Sequence, residues 1–565
     1  VDQMFRTGLE NVHTLDISGA TEKTSYYISG IIEYDKGTYV NSSYKKQSFK
    51  TMFSQQPFKW LKFSQTLSYS HNKRNQNDVN WGYIMRAVPF MSVYDDPSGE
   101  ATTNPMGTGY GFLTKSIEDI VDWQGGNPLE SAMMKDHWKA TDKVWANLQA
   151  VITPLDGFIW TTNLSGSISS REEQKFNYST YGGVSVNTID YVLGKNIQGH
   201  QFDWDQGHDR SYQFTTFINY DKTFNDVHDI GVMGGLEMGG SRNESAKGYV
   251  EWGIPAEDLR TSELVNRANK EGNNGWGTGS SISVFGRATY AYDNRYLLTA
   301  NFRNDWSTNF APGKRSAFSP SVSLGWNLAN EKFFTSKTFN EIKLRLGLGE
   351  SGNASVPANL WRQEYKQQSN GAWVASKVVN ENITWEKTVT QNIGVDVGAW
   401  GNKFQLQFDW YNKDTRDALL RIAIPESTGF KEMYVNQGKI RNRGVEVMAS
   451  YRDMVGDFSY SVSANVSYNE NKVVTLGLHE DEYLSGGNYN RTYAGGPVSA
   501  INGFIEDGIY QTQDEVDAMD AIAIANGISS YDGNVKPGYL KLRDINGEGK
   551  SNEEEYKTNG NDGQK

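Results

Sequence analysis

The 565-residue chain contains no cysteine, which excludes a disulfide framework, thiolate metal sites and a cysteine nucleophile. It has no excess of basic charge. Its 55 Lys and Arg stand against 67 Asp and Glu, a net charge of −12, so the basic patches that nucleic acid requires are not supplied. No run of about 18 apolar residues occurs, which argues against membrane-crossing helices but not against membrane-crossing strands. Apolar residues make up only 37% of the chain and the mean hydropathy is −0.63. Aromatics nevertheless reach 13%, with 31 Tyr, 25 Phe and 16 Trp, and disordered chains are poor in these. The length alone suits about three or four soluble domains, a prior that β-barrels break. The chain opens at Val1 without an initiator Met or signal peptide and closes on a polar run from Asn559 to Lys565. Both ends read as cut, and the chain as an internal piece of a longer protein.

What is abundant is period two, the mark of strands. In 458–468, Phe458, Tyr460, Val462, Ala464, Val466 and Tyr468 alternate with Ser459, Ser461, Ser463, Asn465 and Ser467. In 318–328, Phe318, Pro320, Val322, Leu324, Trp326 and Leu328 alternate with Ser, Gly and Asn, and 404–410 repeats the pattern. Less regular runs lie near 25–35, 61–70, 144–152, 158–168, 212–220, 282–292, 295–304, 341–349, 390–398 and 442–451. Only 513–527 carries helical spacing. Many runs are about nine to eleven residues long, enough for a tilted strand to cross a bilayer. Aromatics close their apolar faces, as interfacial girdles do, and the opposite faces suit a wet lumen. Strands of a soluble sandwich alternate too but are shorter, about five or six residues.

Connections alternate between short, such as 153–157, 293–295, 399–403 and 452–457, and long, about 71–143, 169–210, 239–281, 350–389 and 470–495. Outer-membrane barrels have this rhythm of short periplasmic turns and long external loops. The expected architecture is all-β, a transmembrane antiparallel β-barrel of roughly sixteen strands.

Few motifs carry chemistry. Residues 544–555 fit a twelve-residue calcium loop, with Asp544, Asn546 and Glu548 at positions 1, 3 and 5, and Gly549 at the turn. The Lys550 carbonyl, Asn552 and Glu555 complete the oxygen set at positions 7, 9 and 12. Glu548 is longer than the usual ligand there and Ser551 replaces an apolar residue, so an Asx-rich turn is the competing reading. The segment from His200 to Asp209 gathers His200, Asp203, Asp205, His208 and Asp209 in what reads as a long loop, where solvated His and Asp are ordinary. Gly347, Gly349 and Gly352 match a dinucleotide fingerprint by letters, but no helix opens after them. Gly549-Lys550-Ser551 lacks the earlier glycine of a phosphate loop. Neither a nucleophile elbow nor a triad is supported, and no enzymatic activity is expected. Loop aromatics (Trp81, Tyr83, Trp123, Trp204, Trp252, Trp276, Trp361 and Trp373) suit either ring stacking on a ligand or packing.

A set of ordered short matches resembles the SusC/RagA family of TonB-linked outer-membrane transporters. Phe5-Arg6-Thr7-Gly8 and the segment from Ile17 to Tyr27 look like its first barrel hairpin, and Gly126-Asn127-Pro128-Leu129 its Asn-Pro-Leu loop. Phe318 to Trp326, Ser351-Gly352-Asn353, Thr384-Trp385-Glu386-Lys387-Thr388 and Asn392 to Asp396 continue the match. So do Trp410 to Lys413, Gly438 to Glu446, Gly508 to Gln511, and Pro537-Gly538-Tyr539 running into Asp544-Ile545-Asn546-Gly547. The matches span almost the whole chain in family order.

The resemblance implies a 22-stranded barrel around a plug, and TonB-driven import of a large nutrient, glycan or peptide. It also implies a SusD-like surface lipoprotein as lid and an outer-membrane lipid surround. On that pattern residues 1–565 are a barrel fragment with long extracellular loops, lacking the plug before it and the last strands after it. Such a fragment is not expected to transport alone, and its unpaired edges would be exposed. The rival readings are a secreted β-rich glycan-binding module or hydrolase, and a barrel with a structural or adhesive role.

Overall fold

The computed structural model describes residues 2–76, 84, 93–94, 110, 127–178, 200–254, 270–357, 359–368, 371–477, 483–485, 490–501, 503, 505–529 and 535–543. Among these no helix is long and apolar enough to cross a membrane. The chain divides into two compact units, 1–220 with 235–282, and 221–234 with 283–565.

The dominant element is a sixteen-stranded antiparallel sheet whose strands follow one another in chain order. Its first nine are β1 (Leu9–Ala20), β2 (Thr24–Lys36), β3 (Ser43–Phe58), β4 (Leu61–Asn75), β5 (Lys135–Ile152), β6 (Phe158–Asn177), β7 (His200–Phe224), β8 (His228–Ile254) and β9 (Lys270–Tyr292). There follow β10 (Tyr296–Ser307), β11 (Ser316–Asn327) and β12 (Phe339–Asn353). The hairpin β13 (Tyr365–Gln367) and β14 (Trp373–Ala375) interrupts the series outside the sheet. The sheet resumes with β15 (Glu386–Ala399), β16 (Phe404–Ala423), β17 (Glu432–Val455) and β18 (Phe458–Thr475).

Register turns the period-two pattern into two faces. In the first unit Leu15, Gly30, Phe49, Tyr69, Val144, Ile168 and Arg210 form one cross-strand row, and Ile17, Ile28, Thr51, Leu67, Ala146, Gly166 and Tyr212 the next. In the second, Leu298, Leu324, Leu346, Ile393, Trp410, Val445 and Tyr468 are aligned. Leu15, Ile168 and Leu324 are 69, 60 and 50% exposed. So wide an uncovered apolar face is untenable in water and natural against lipid. The intervening positions are polar; Asp16, Ser29, Lys50 and Ser68 make one such row. The ten steps from Phe158 to Ile168 span about 33 Å of strand, and a tilt near 40° turns this into about 25 Å of height, the apolar band of a membrane barrel.

Aromatics mark the lower rim of the band. Phe58 stacks on Trp60 at 5.4 Å, Trp400 packs beside Phe404 at 6.0 Å, and Phe458 lies 6.0 Å from Tyr460. The turns at that end are tight. Asn225-Asp226 and Asp293-Asn294 take positive φ at both residues, as two-residue hairpins require.

One turn of this end, 328–338, is tied down by a carboxylate. Glu331 is buried, accepts from Trp326 Nε1 at 2.9 Å and pairs with Arg295 at 3.2 Å. Hydrogen bonds from Tyr296 and Trp326, then the Arg295 charge, hold its carboxyl below the ordinary value. A depressed folded value means that the turn gains stability above the unfolded carboxylate pKa and loses it as pH falls through the folded one. Amide-exchange protection at 326–334 is therefore expected to hold at pH 5–7 and to decline below about pH 4. Glu331→Gln should abolish that decline; an identical acid profile in the variant would refute the assignment.

The expected strand count holds, but the strands outrun the expected boundaries. Residues 170–177 and 200–210, read as loop, belong to β6 and β7; 239–254 and 270–281 belong to β8 and β9. In these extensions polar residues such as Ser170 and His208 share a face with the buried Phe176, Phe202 and Val250, so the hydropathy contrast is lost while the ladder hydrogen bonds continue. The helix at 513–527 is present as α2 (Gln513–Ala525), capped by the Thr512 hydroxyl, which accepts from the Glu515 amide at 3.3 Å. The other helix, α1 (Pro128–Met133), explains the Asn-Pro-Leu segment. Asn127 caps it through the amides of Leu129 and Glu130, and Pro128 starts it without needing a donor.

Candidate functional site

The inward, polar face carries paired charge. In the second unit Arg345 of β12 forks to two carboxylates, donating to Asp396 at 2.8 and 2.9 Å and to Asp409 at 2.9 Å twice. These lie on adjacent strands β12, β15 and β16. In the first unit the upper ends of β5–β8 bring His137 to Glu173 at 2.9 Å, Lys139 to Glu173 at 3.1 Å, and Arg171 and Lys247 to Asp205 at 3.4 and 2.8 Å. Such a surface binds water and polar solutes.

Above the band, the segment 354–385 joins β12 to β15 and is fastened to the sheet. Phe310, Ala317, Val356, Leu360, Ile383 and Trp385 form a buried cluster. Trp385 stacks on Phe310 at 5.0 Å and donates from Nε1 to the Arg315 carbonyl at 3.1 Å. Asn436 bonds both ways across to Thr384, accepting from its amide and donating to its carbonyl, each at 2.9 Å. Glu386 accepts from the Leu419 amide at 2.6 Å, opposite the bulge in β16. The Trp-Glu-Lys segment is thus a clamp for the loop. From this root the β13–β14 hairpin projects Tyr365 and Trp373 on one face, 64 and 67% exposed. Two rigid aromatic surfaces on an anchored hairpin can stack on sugar rings or on peptide side chains.

The calcium-loop residues Asp544, Asn546, Glu548, Lys550, Asn552 and Glu555 lie outside the described residues. The chain before them is fixed by Arg543, whose guanidinium grips Asp507 at 2.6–3.1 Å and holds that carboxyl below its ordinary value. The 200–209 segment, expected as a loop, is strand β7, which sends Asp203 and Asp205 to one face and His208 to the other. Among the described residues no three His, Asp or Glu gather at metal-ligating distance. Gly347, Gly349 and Gly352 lie within β12, a strand and not a phosphate turn. Of the loop aromatics, Trp204 packs against the Phe176 cluster and Arg315 lies over Trp361. Trp276 and Trp373 are exposed. Trp81, Tyr83 and Trp123 lie outside the described residues, as does the side chain of Trp252.

A chain of two-faced, tilted-strand length with aromatic rims and elongated upper strands is a wall of a membrane β-barrel. The family described as TonB dependent receptor-like, beta-barrel matches residues 92–504, and the chain belongs to it. Barrels of this family are outer-membrane proteins, which sets the location. Among its relatives, TonB-dependent receptor P3 of Formosa agariphila is 25% identical over 574 residues, 97% of this chain and 54% of that protein. TonB-dependent receptor SusC of Bacteroides thetaiotaomicron is 26% identical, over 86% of this chain and 49% of that protein. The chain spans about half the length of the curated relatives it matches. In fold it resembles the RagAB peptide transporter, with a TM-score of 0.74 at 19% identity, covering 90% of this chain and 56% of that one. The SusC/RagA resemblance read from the sequence is upheld.

Proposed function

We propose that this chain is the barrel portion of a TonB-dependent importer of large nutrients, oligosaccharide or oligopeptide, that works with a SusD-like surface lipoprotein. The observation that carries this reading is the combination of a lipid-facing sheet with an anchored external hairpin that presents Tyr365 and Trp373. Import fits a polar inward face with charge already paired, because such a surface passes a large solute without trapping it. TonB and a plug would supply the energy and the gate from outside residues 1–565. The proposal extends to a calcium ion held by Asp544, Asn546, Glu548, the Lys550 carbonyl, Asn552 and Glu555.

The test is uptake by the organism carrying the gene. Deleting the gene is expected to abolish uptake of either labelled oligosaccharides or labelled oligopeptides, and the intact gene to restore it. The Trp373→Ala/Tyr365→Ala pair should restore assembly but weaken uptake at limiting substrate by about tenfold, since each lost stacking contact is worth about 0.5–1.5 kcal/mol. Unchanged uptake of both classes after deletion would end the proposal.

A further inference from the structure

We propose that the outward face of the first unit holds one phosphate-bearing lipid of the outer leaflet, in a recess of about 560 Å³ lined by Val144, Gly166, Ile168, Tyr212, Arg210 and Arg242. The recess opens where Gly166 leaves out a side chain in an otherwise filled apolar face. A Cβ on Gly166 would meet only the Ser211 carbonyl, at 3.3 Å. The Tyr212 ring lies over Gly240, where any Cβ would collide with it. The floor is apolar and the walls are Val144 and Ile168, which suits an acyl chain.

The recess also has a charged end. Val144, Ile168 and Arg210 share one row, and the next outward row, His71, Asp142, Ser170 and His208, is polar throughout. Arg210 and Arg242 thus stand where the apolar band gives way to water, the level of lipid phosphates. Arg441 pairs with Asp414 at 2.6 Å and Arg443 with Glu470 at 2.8 Å. Arg242 is likewise paired, to Glu244 at 2.5 Å. Arg210 is exposed and has no carboxylate partner among the described residues, so one unpaired cation stands at the mouth of the recess. Trp276, the outward residue of β9 two positions from the recess-lining Thr278, is 75% exposed, an aromatic placed for a headgroup layer. An anion with an acyl chain answers the charge and the apolar floor together; a free anion answers only the first.

This inference rests on the membrane location and not on import, so its failure would leave the import reading intact. The probe is dimyristoyl phosphatidic acid, titrated onto the detergent-purified, delipidated product of the whole gene and counted by native mass spectrometry, against phosphatidylcholine of the same acyl chains. One phosphatidic acid is expected to bind, with an affinity reduced about tenfold in Arg210→Gln/Arg242→Gln. Gly166→Leu, which fills the recess while leaving a lipid-compatible face, should lose the bound lipid although its heat-shifted electrophoretic mobility shows normal folding. Inorganic phosphate should not compete. Equal binding of the two lipids, competition by phosphate, or full retention in Gly166→Leu would each overturn the assignment.

Discussion

Arginine in place of Val322 is expected to cost about 2–4 kcal/mol of folding stability in a bilayer. Val322 lies midway along β11 between the aromatics Phe318 and Trp326, faces outward and is 40% exposed. Its cross-strand neighbours are Ala300 and Leu348, so the incoming guanidinium finds no acceptor at its depth. The cost should decline through Leu324 to about 0–1 kcal/mol at Phe318 and Trp326, where snorkelling reaches the headgroups. Ser323→Arg is the control. Ser323 pairs with Thr299 and Gly347 on the polar face, and a cation there reaches water. Denaturant titration of the two variants in phospholipid bilayers separates the effects. Equal costs at Val322 and Ser323 would show that the two faces are not lipid and water.

Trp385→Ala should cost about 3–5 kcal/mol, the usual loss for a truncated, buried tryptophan. Its ring is 5% exposed and stacked on Phe310, its Nε1 is bonded, and it packs so closely over Gly352 that a Cβ there would lie 3.1 Å from the ring. The loss should be local, because the ladder between β12 and β15 does not pass through the ring. Hydrogen exchange is expected to accelerate across 354–385 and 308–315 while 342–350 stays protected. Trp385→Phe should preserve much of the protection by retaining the stack. If 354–385 exchanged no faster in the alanine variant, the hairpin with Tyr365 and Trp373 would not owe its position to this clamp.

Much of the sheet is legible in the sequence because lipid enforces the alternation. β18 reads directly from Phe458 to Tyr468, and β11 from Phe318 to Trp326. Three strands escape that reading for physical reasons. β8 places Gly231, Gly234, Gly235, Gly239 and Gly240 on both faces, which erases contrast. β3 carries Lys45 and Gln47 outward and Met52 inward. β1 mixes Asn11 and His13 into its outward row. The upper strand extensions are illegible because buried aromatics such as Phe176 and Phe202 alternate there with charged and polar residues on both faces, without the apolar-polar contrast of the lipid band. The Arg345–Asp396–Asp409 fork is also hidden. Each residue falls on the polar face of its strand, but only register, fixed by turns and loops, brings the three together. The recess at Gly166 depends on the same register, which sets two glycines of separate strands beside one tyrosine.

Because the chain lacks cysteine, single cysteines can be introduced along β18 and spin-labelled in reconstituted bilayers without background. The decisive measurement is the accessibility of labels at positions 460–467 to oxygen, which concentrates in lipid, and to a nickel chelate, which stays in water. Labels at Tyr460, Val462, Ala464 and Val466 should be relaxed by oxygen, and those at Ser461, Ser463, Asn465 and Ser467 by the chelate, with a period of two residues. Equal accessibility at successive positions, or chelate access at Val462 and Val466, would contradict a lipid-facing wall and with it the transporter reading.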